Sequence, residues 1–289
     1  MKEIAPHVPT TDINLPSLVY EMILGYYLNT SSAAFLAHIR AWPPTIYNPD
    51  PIIAAVHSKW RSHPDDRNLM QSLADLYQNT DQPREAVKFL VRLGKPETFE
   101  FIRRFRLFDV LSGDIVRFLE LGAQSGDGGE IEPNEEGLQL LIDHAHTITP
   151  ETMLTELSHR PYFQYRYVCA LRERQGGFLE DYGDLQVELY AAYNRKELLF
   201  FLRTSNSYNL EKARAICERK KYTQELVFIF SRMGDNKRAL HLIIEELEDV
   251  EMAVEFVQTV GDQDLWTDLV EQAKTKPRMV PNTRQWDLW

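Results

Sequence analysis

Apolar residues recur along most of this chain at the spacing of a helix. Leu226, Ile229, Phe230 and Met233 stand at i, i+3, i+4 and i+7, one stripe of an amphipathic helix. Gly234 follows, suited to the left-handed backbone that ends a helix, and Asp235 is placed to cap the next one. Leu240, Ile243, Ile244 and Leu247 repeat the stripe. Asp249 restarts it with Val250, Ala253, Val254, Phe256 and Val257, and Gly261 with Asp262 opens a last helix carrying Leu265, Trp266, Leu269 and Val270. Connections this short turn each helix back along its predecessor, so that it buries its stripe there.

The same grammar holds upstream. Asp50 and Pro51 predict a helix start, with the helix running to about Trp60, because proline is tolerated at the first helical position. Segments 68–77 and 85–93 read as a pair; Lys95 and Pro96 open 97–108, Thr149 and Pro150 cap 151–157, and Pro161 opens a helix rich in Tyr162, Phe163, Tyr165 and Tyr167. Residues 122–137, GAQSGDGGEIEPNEEG, concentrate glycine and acid and predict a mobile loop between helices. No β-hairpin dipeptide lies between alternating apolar residues, so the expected fold is all-α. EAVKFLVRLG (85–94) and ELVFIFSRMG (225–234) share Glu, Val, Arg and Gly at equivalent places. With serial helical hairpins, that repeat favours an α-solenoid of antiparallel helix pairs, in the form of a right-handed superhelix, over a closed bundle.

Composition narrows the function classes. The 289 residues, 44% hydrophobic, supply a core for one large domain or two modest ones. The formal charge of −11 argues against nucleic acid as the main partner and against nonspecific attachment to anionic lipid. Cys169 and Cys217 share no paired spacing and read as buried thiols in a reducing compartment. No apolar run approaches the ~18 residues of a membrane span. The opening MKEIAPHVPTTD lacks a signal-peptide core, so a cytosolic location is expected.

Candidate chemistry is sparse. His144 and His146 are two apart and diverge on a helix, there is no HExxH, GxxxxGK[ST] or GxSxG, and no catalytic residue, metal or cofactor is expected. The carboxylates Glu245, Glu246, Glu248, Asp249 and Glu251 read as a solvated helix end and a cap, open as a surface for a basic partner. Arg103, Arg104 and Arg106 interleave with Phe99, Phe101, Phe105 and Phe108, which reads as a core face edged by snorkelling arginines. Arg219, Lys220 and Lys221 form a second basic group.

The run LEKARAICERKKYTQELVFIFSRMGDNKRALHLIIEELEDVEMAVEF, followed by LWTDLV and KP, and the upstream LYAAYNRKELLFFLR carry a resemblance. They resemble the clathrin heavy chain repeat region of the vacuolar protein sorting-associated protein 41 family, with similarity reaching back to about residue 85. The resemblance implies an extended segment 1–16, a TPR-like helical region 17–110, a clathrin heavy chain repeat-like solenoid 111–275 and a divergent tail 276–289. It implies a non-enzymatic scaffold within a subunit of the HOPS tethering complex, acting in vesicle fusion and protein transport at the endosome and the vacuole or lysosome. Other HOPS subunits are the implied partners, with this chain itself, adaptor complex 3 and clathrin as further candidates; membrane association would be indirect. The family's amino-terminal β-propeller and carboxy-terminal zinc domain have no counterpart here, so the chain is expected to be a fragment or a shortened product.

Two other classes stay open: a nucleic-acid-binding helical repeat, and an all-helical enzyme using the acids of 245–264 around a divalent metal. The candidate interaction residues are Trp266, Leu269 and Val270, with Trp286 and Trp289 in the tail. The tail pair stands at WxxW spacing and resembles the tryptophan box by which endocytic adaptors engage the clathrin propeller. Gln285 stands where that motif has proline, and the rival reading packs both rings on the chain's own last helix.

Overall fold

The computed structural model describes residues 8–9, 15–123 and 131–275, and among these every regular element is helical. The chain divides into two compact units at Phe163/Gln164.

The first unit contains α1 (Ser17–Thr30), α2 (Ser32–Ala41), α3 (Pro49–Ser62), α4 (Arg67–Asn79) and α5 (Pro83–Leu93). After these come α6 (Thr98–Phe105), α7 (Ile115–Leu119), α8 (Glu135–Asp143) and α9 (Pro150–Glu156). Helix α4 lies at the centre, packed against α2, α3 and α5, which is why even its Gln71 and Ser72 are buried beside Leu69, Leu73 and Leu76. Tyr20, Leu24 and Phe35 of α1 and α2 join the same core.

Side-chain caps set the helix starts. The expected start at Asp50 moves back: the Asn48 side chain accepts the Asp50 N–H at 3.3 Å, and Pro49 leads the helix. Helix α6 stops at Phe105, short of the expected 108, because Arg106 turns left-handed (φ 53°) and a 3-10 turn, Phe108–Leu111, follows. Helix α8 begins at Glu135, inside the stretch expected as loop, with Asn134 accepting the Gly137 N–H at 2.9 Å. The central residues of that stretch, 124–130, lie outside the described residues.

Helix α10 (Pro161–Gln175) runs from the first unit into the second. There follow α11 (Gly183–Tyr193), α12 (Arg195–Thr204), α13 (Leu210–Lys220) and α14 (Thr223–Met233). The chain then forms α15 (Asn236–Leu242), α16 (Val250–Val260) and α17 (Gln263–Thr275). Helix α11 packs on α12 and α13, α12 on α14, and α15 on α17. Contact with the next helix and the next but one is the layering of an all-α solenoid. The stripe through Ile243, Ile244 and Leu247 continues α15 as a π-helical turn, ended by Glu248 at φ 52°. Apolar spacing does not resolve an α from a π turn, so that widening has no signature in the stripe.

The internal repeat has a structural counterpart. Both α5 and α14 are eleven residues long and end on left-handed glycines, Gly94 at φ 72° and Gly234 at φ 80°. The shared arginines also act alike: Arg92 lies 5.5 Å over the Trp60 ring and Arg232 lies 5.5 Å over the Tyr208 ring. Each ring belongs to the segment just before the helix pair, so the arginine fastens one pair to the one before it. The shared glutamates differ. Glu85 pairs with Lys88 at the surface, whereas Glu225 is buried.

Candidate interaction surface

The second unit holds its helices with polar staples. The loop between α12 and α13 is fixed by Arg232, whose guanidinium donates to the Ser205 carbonyl (3.2 Å), the Tyr208 hydroxyl (2.9 Å) and Asn206 Oδ1 (2.7 Å). Gly183 admits the same loop, since a Cβ there would stand 2.2 Å from the Ser207 carbonyl oxygen. Asp184 accepts the Asn209 N–H and Lys212 Nζ, both at 2.7 Å, and these bonds hold its carboxyl below the usual range. The rigid frame presents two surfaces.

One is the face of α15, α16 and α17. Between Arg238 and Lys274 the chain has ten Asp and Glu and no Lys or Arg. Local needs absorb some of them: Asp249 caps α16 through the Met252 N–H at 2.9 Å, and Asp268 pairs with Lys237 at 3.2 Å. The remaining charge suits a basic partner. Of the sequence candidates here, Leu269 turns inward with Leu265 to build the core. Trp266 is half-buried and Val270 is 49% exposed, so these two stay available at the surface. Trp286 and Trp289 lie outside the described residues.

The other surface surrounds Arg172, which the sequence reading passed over. Its guanidinium lies 5.5–5.7 Å over the rings of Phe200, Phe201 and Tyr190, and Nη1 donates to the Tyr190 hydroxyl at 3.2 Å. A cavity of about 420 Å³ opens on one side, lined by Leu179, Gln186, Phe201 and Ser205–Ser207. Another of about 450 Å³ opens on the other side, lined by Tyr165, Cys169, Tyr190, Glu197 and Phe200. Arginine and aromatic rings in a concave site are the composition of protein-binding hot spots. A signal was present: Tyr165, Cys169 and Arg172 fall at i, i+4 and i+7 of one helix.

The titratable groups answer to packing. Burial, with the Glu225 carboxylate nearby, pushes the Cys217 thiol up to about 12, and burial also raises Cys169. Burial lowers His57, whose Nε2 lies 2.7 Å from the Tyr77 hydroxyl. Among the described residues no three His, Cys, Asp or Glu are grouped so as to hold a metal ion. Among the flagged basic residues, Arg103 pairs with Glu136 at 2.7 Å, while Arg104 lies 5.4 Å over Phe105. Phe99 and Phe108 are buried, as a core face requires, but Phe105 is exposed.

Comparison with known proteins shows what the whole chain is similar to. Residues 1–283 match the family model described as the Vps41 TPR-like region. The chain is 31% identical over 280 residues to vacuolar protein sorting-associated protein 41 of Schizosaccharomyces pombe, and 32% identical over 280 residues to the Homo sapiens homolog. Each match covers 97% of this chain and 32% of the relative. The Arabidopsis thaliana homolog is 34% identical over 286 residues, covering 96% of this chain and 29% of that protein. The chain therefore spans about a third of the length of the curated relatives it matches. No solved structure matches.

Proposed function

This chain belongs to the Vps41 family, and from that membership we propose that it is the helical interaction scaffold of a HOPS-type tethering subunit, serving protein transport to the vacuole or lysosome. The observation that carries the reading is the continuity of the match, which runs through 97% of the chain. We read the role as non-enzymatic, a reading supported by polar groups such as Arg195, Glu225 and Arg232 that serve as staples between helices. Partners are other HOPS subunits on the carboxylate face and around Arg172, and a second copy of this chain through Trp266 and Val270. Adaptor complex 3 and clathrin are the outer candidates. Location is peripheral at endosomal and vacuolar membranes, reached through partners; among the described residues no helix is long and apolar enough to cross a bilayer.

The test is a chimera in fission yeast, with these 289 residues replacing the matching segment of the resident protein. Restored vacuolar sorting and co-purification with the other HOPS subunits are expected. A stable, well-expressed chimera that restores neither would reject the scaffold role. For the tail, a peptide of residues 281–289 binding the clathrin propeller, with loss on Trp286→Ala and Trp289→Ala, would support clathrin as a partner. No binding by that peptide would remove it.

A further inference from the structure

Two basic groups some forty residues apart in the sequence meet at one groove of the first unit. Arg103 and Arg106, at the end of α6, and His144, His146 and Thr147, in the turn after α8, line a cavity of about 440 Å³ with Phe108. The His144 ring lies stacked on Phe108 with centroids 3.5 Å apart. Its Nδ1 donates to the Leu140 carbonyl at 3.0 Å, since a carbonyl only accepts, which leaves Nε2 as the ring's remaining polar atom. The Arg106 guanidinium, the His146 ring nitrogens and the Thr147 hydroxyl have no hydrogen-bond or ion-pair partner among the described residues.

Cations at helix ends ordinarily answer the bare carbonyls there. Several of the carbonyls at these two helix ends are already paired, and the Arg106 guanidinium donates to none of them. The Ile102 and Arg103 carbonyls accept the Leu107 and Arg106 N–H groups, and the Ile142 carbonyl accepts the Ala145 N–H. The His144 carbonyl accepts the N–H groups of Thr147 and Ile148. Arg106 also holds φ 53°, a conformation that glycine adopts with less strain. Capping does not account for a guanidinium at this position.

We propose that this groove binds a phosphorylated serine or threonine in a segment of a partner protein. A phosphate ester near neutral pH carries a charge of about −1.5 to −2 and three acceptor oxygens, which two forked guanidiniums match. Thr147 and the His146 imidazole add donors at the rim. Arg103 reaches the ligand by exchanging Glu136, whose half-exposed carboxylate returns to water at little cost. A peptide is favoured over a phosphorylated lipid because the chain carries −11, which repels an anionic bilayer, whereas one phosphate on a short segment meets only the local positive field. This site is not part of the scaffold reading, and binding to the isolated chain is measured without it.

The probe is an immobilised peptide library with a fixed phosphoserine or phosphothreonine in degenerate flanks, beside its unphosphorylated twin, at about 0.15 M salt. Phosphatidylcholine vesicles carrying phosphatidylinositol phosphates form a second arm. The phosphorylated library should retain the full chain about tenfold better than its twin. Arg106→Gly should abolish that preference while the melting temperature stays level or rises, and His146→Ala, a surface change, should weaken it. Equal retention on both libraries would overturn the proposal. So would an Arg106→Gly chain that still prefers the phosphorylated one, or binding confined to the vesicles.

Discussion

Arg195 and Glu225 form a fork-to-fork pair: Nε donates to Oε1 at 2.8 Å and Nη2 donates to Oε2 at 2.9 Å. The Glu225 side chain is 2% exposed while that of Arg195 is 48% exposed, so a buried carboxylate depends on a guanidinium at the edge of solvent. The Glu225 bonds hold Arg195 above its usual range, and the guanidinium also lies 4.5 Å over the Tyr222 ring. The pair ties the first turn of α12 to that of α14.

Arg195→Ala should therefore cost more than an ordinary surface change, because it strands the carboxylate. The loss is about 1–3 kcal/mol, below the range for fully buried pairs because the arginine is half in water. Arg195→Lys should recover only part of it, since an ammonium cannot donate through two parallel bonds. Urea unfolding measures both, and an Arg195→Ala midpoint equal to wild type would show that the pair contributes nothing.

Two glycines within helices should respond in opposite directions to alanine. At Gly183 the new Cβ would meet the Ser207 carbonyl oxygen at 2.2 Å and its carbon at 2.4 Å, both backbone atoms in a loop already pinned by Arg232. Overpacking of this kind costs about 1–3 kcal/mol or more. At Gly25, inside α1, nothing lies within 4 Å, so Gly25→Ala should stabilise by about 0.5–1 kcal/mol. Thermal melts of the two variants should shift on opposite sides of wild type.

What was legible in the sequence was local. Gly94, Gly234 and Gly261 end helices with positive φ, and Thr149, Asp235 and Asp249 cap them, because each signal and its effect lie within a few residues. The caps at Asn48, Asn134, Asn194 and Asn209 use the same chemistry but were not singled out, which displaced helix starts such as that of α3. Tertiary relationships were not legible. Glu225 looks like any helical glutamate until Arg195, thirty residues earlier, is brought against it. The arginines near 103 and the histidines near 144 were each visible, but only the packing of this unit sets them around one groove.

The repeat core should behave as a core. Phe230 and Leu240 are buried on facing helices α14 and α15, so either change to Ala should cost about 2–5 kcal/mol. Gly234→Val should destabilise too, by strain instead of cavity formation, since φ 80° is hostile to a β-branched residue. Melting near wild type in all three would mean that the α14–α15 corner contributes little to stability.

Val270 and Trp266 separate surface from core on one helix. Val270→Asp should leave the melting temperature nearly unchanged, within about 0.5 kcal/mol of wild-type stability, because the side chain is half in water. Leu269→Asp, one residue earlier but buried, should unfold the helix or lower its melting sharply. If the chain self-associates through this face, sedimentation at about 100 μM should show less association for Val270→Asp than for wild type. Association unchanged by the added charge would move the self-contact elsewhere.

Alkaline pH should weaken the second unit through Cys217. Its thiol is fully buried and pushed up to about 12 in the fold, against an ordinary value of about 9. Between those values the unfolded chain gives up the proton while the folded chain keeps it, so the unfolded state binds fewer protons. Stability from this group is complete below about pH 9 and is lost as pH rises towards about 12, at up to about 1.4 kcal/mol per pH unit. Tyr165, Tyr190 and Tyr208 are raised by burial as well and steepen the fall above their ordinary range. Cys217→Ala removes one titrating proton, so its stability should decline less steeply from about pH 9.5 to 10.5 even though the cavity lowers it throughout. The same burial shields the thiol from maleimide, whereas Cys169, half-buried beside the cavity at Arg172, should label first. Parallel pH slopes for variant and wild type would show that Cys217 ionises as readily in the fold as out of it.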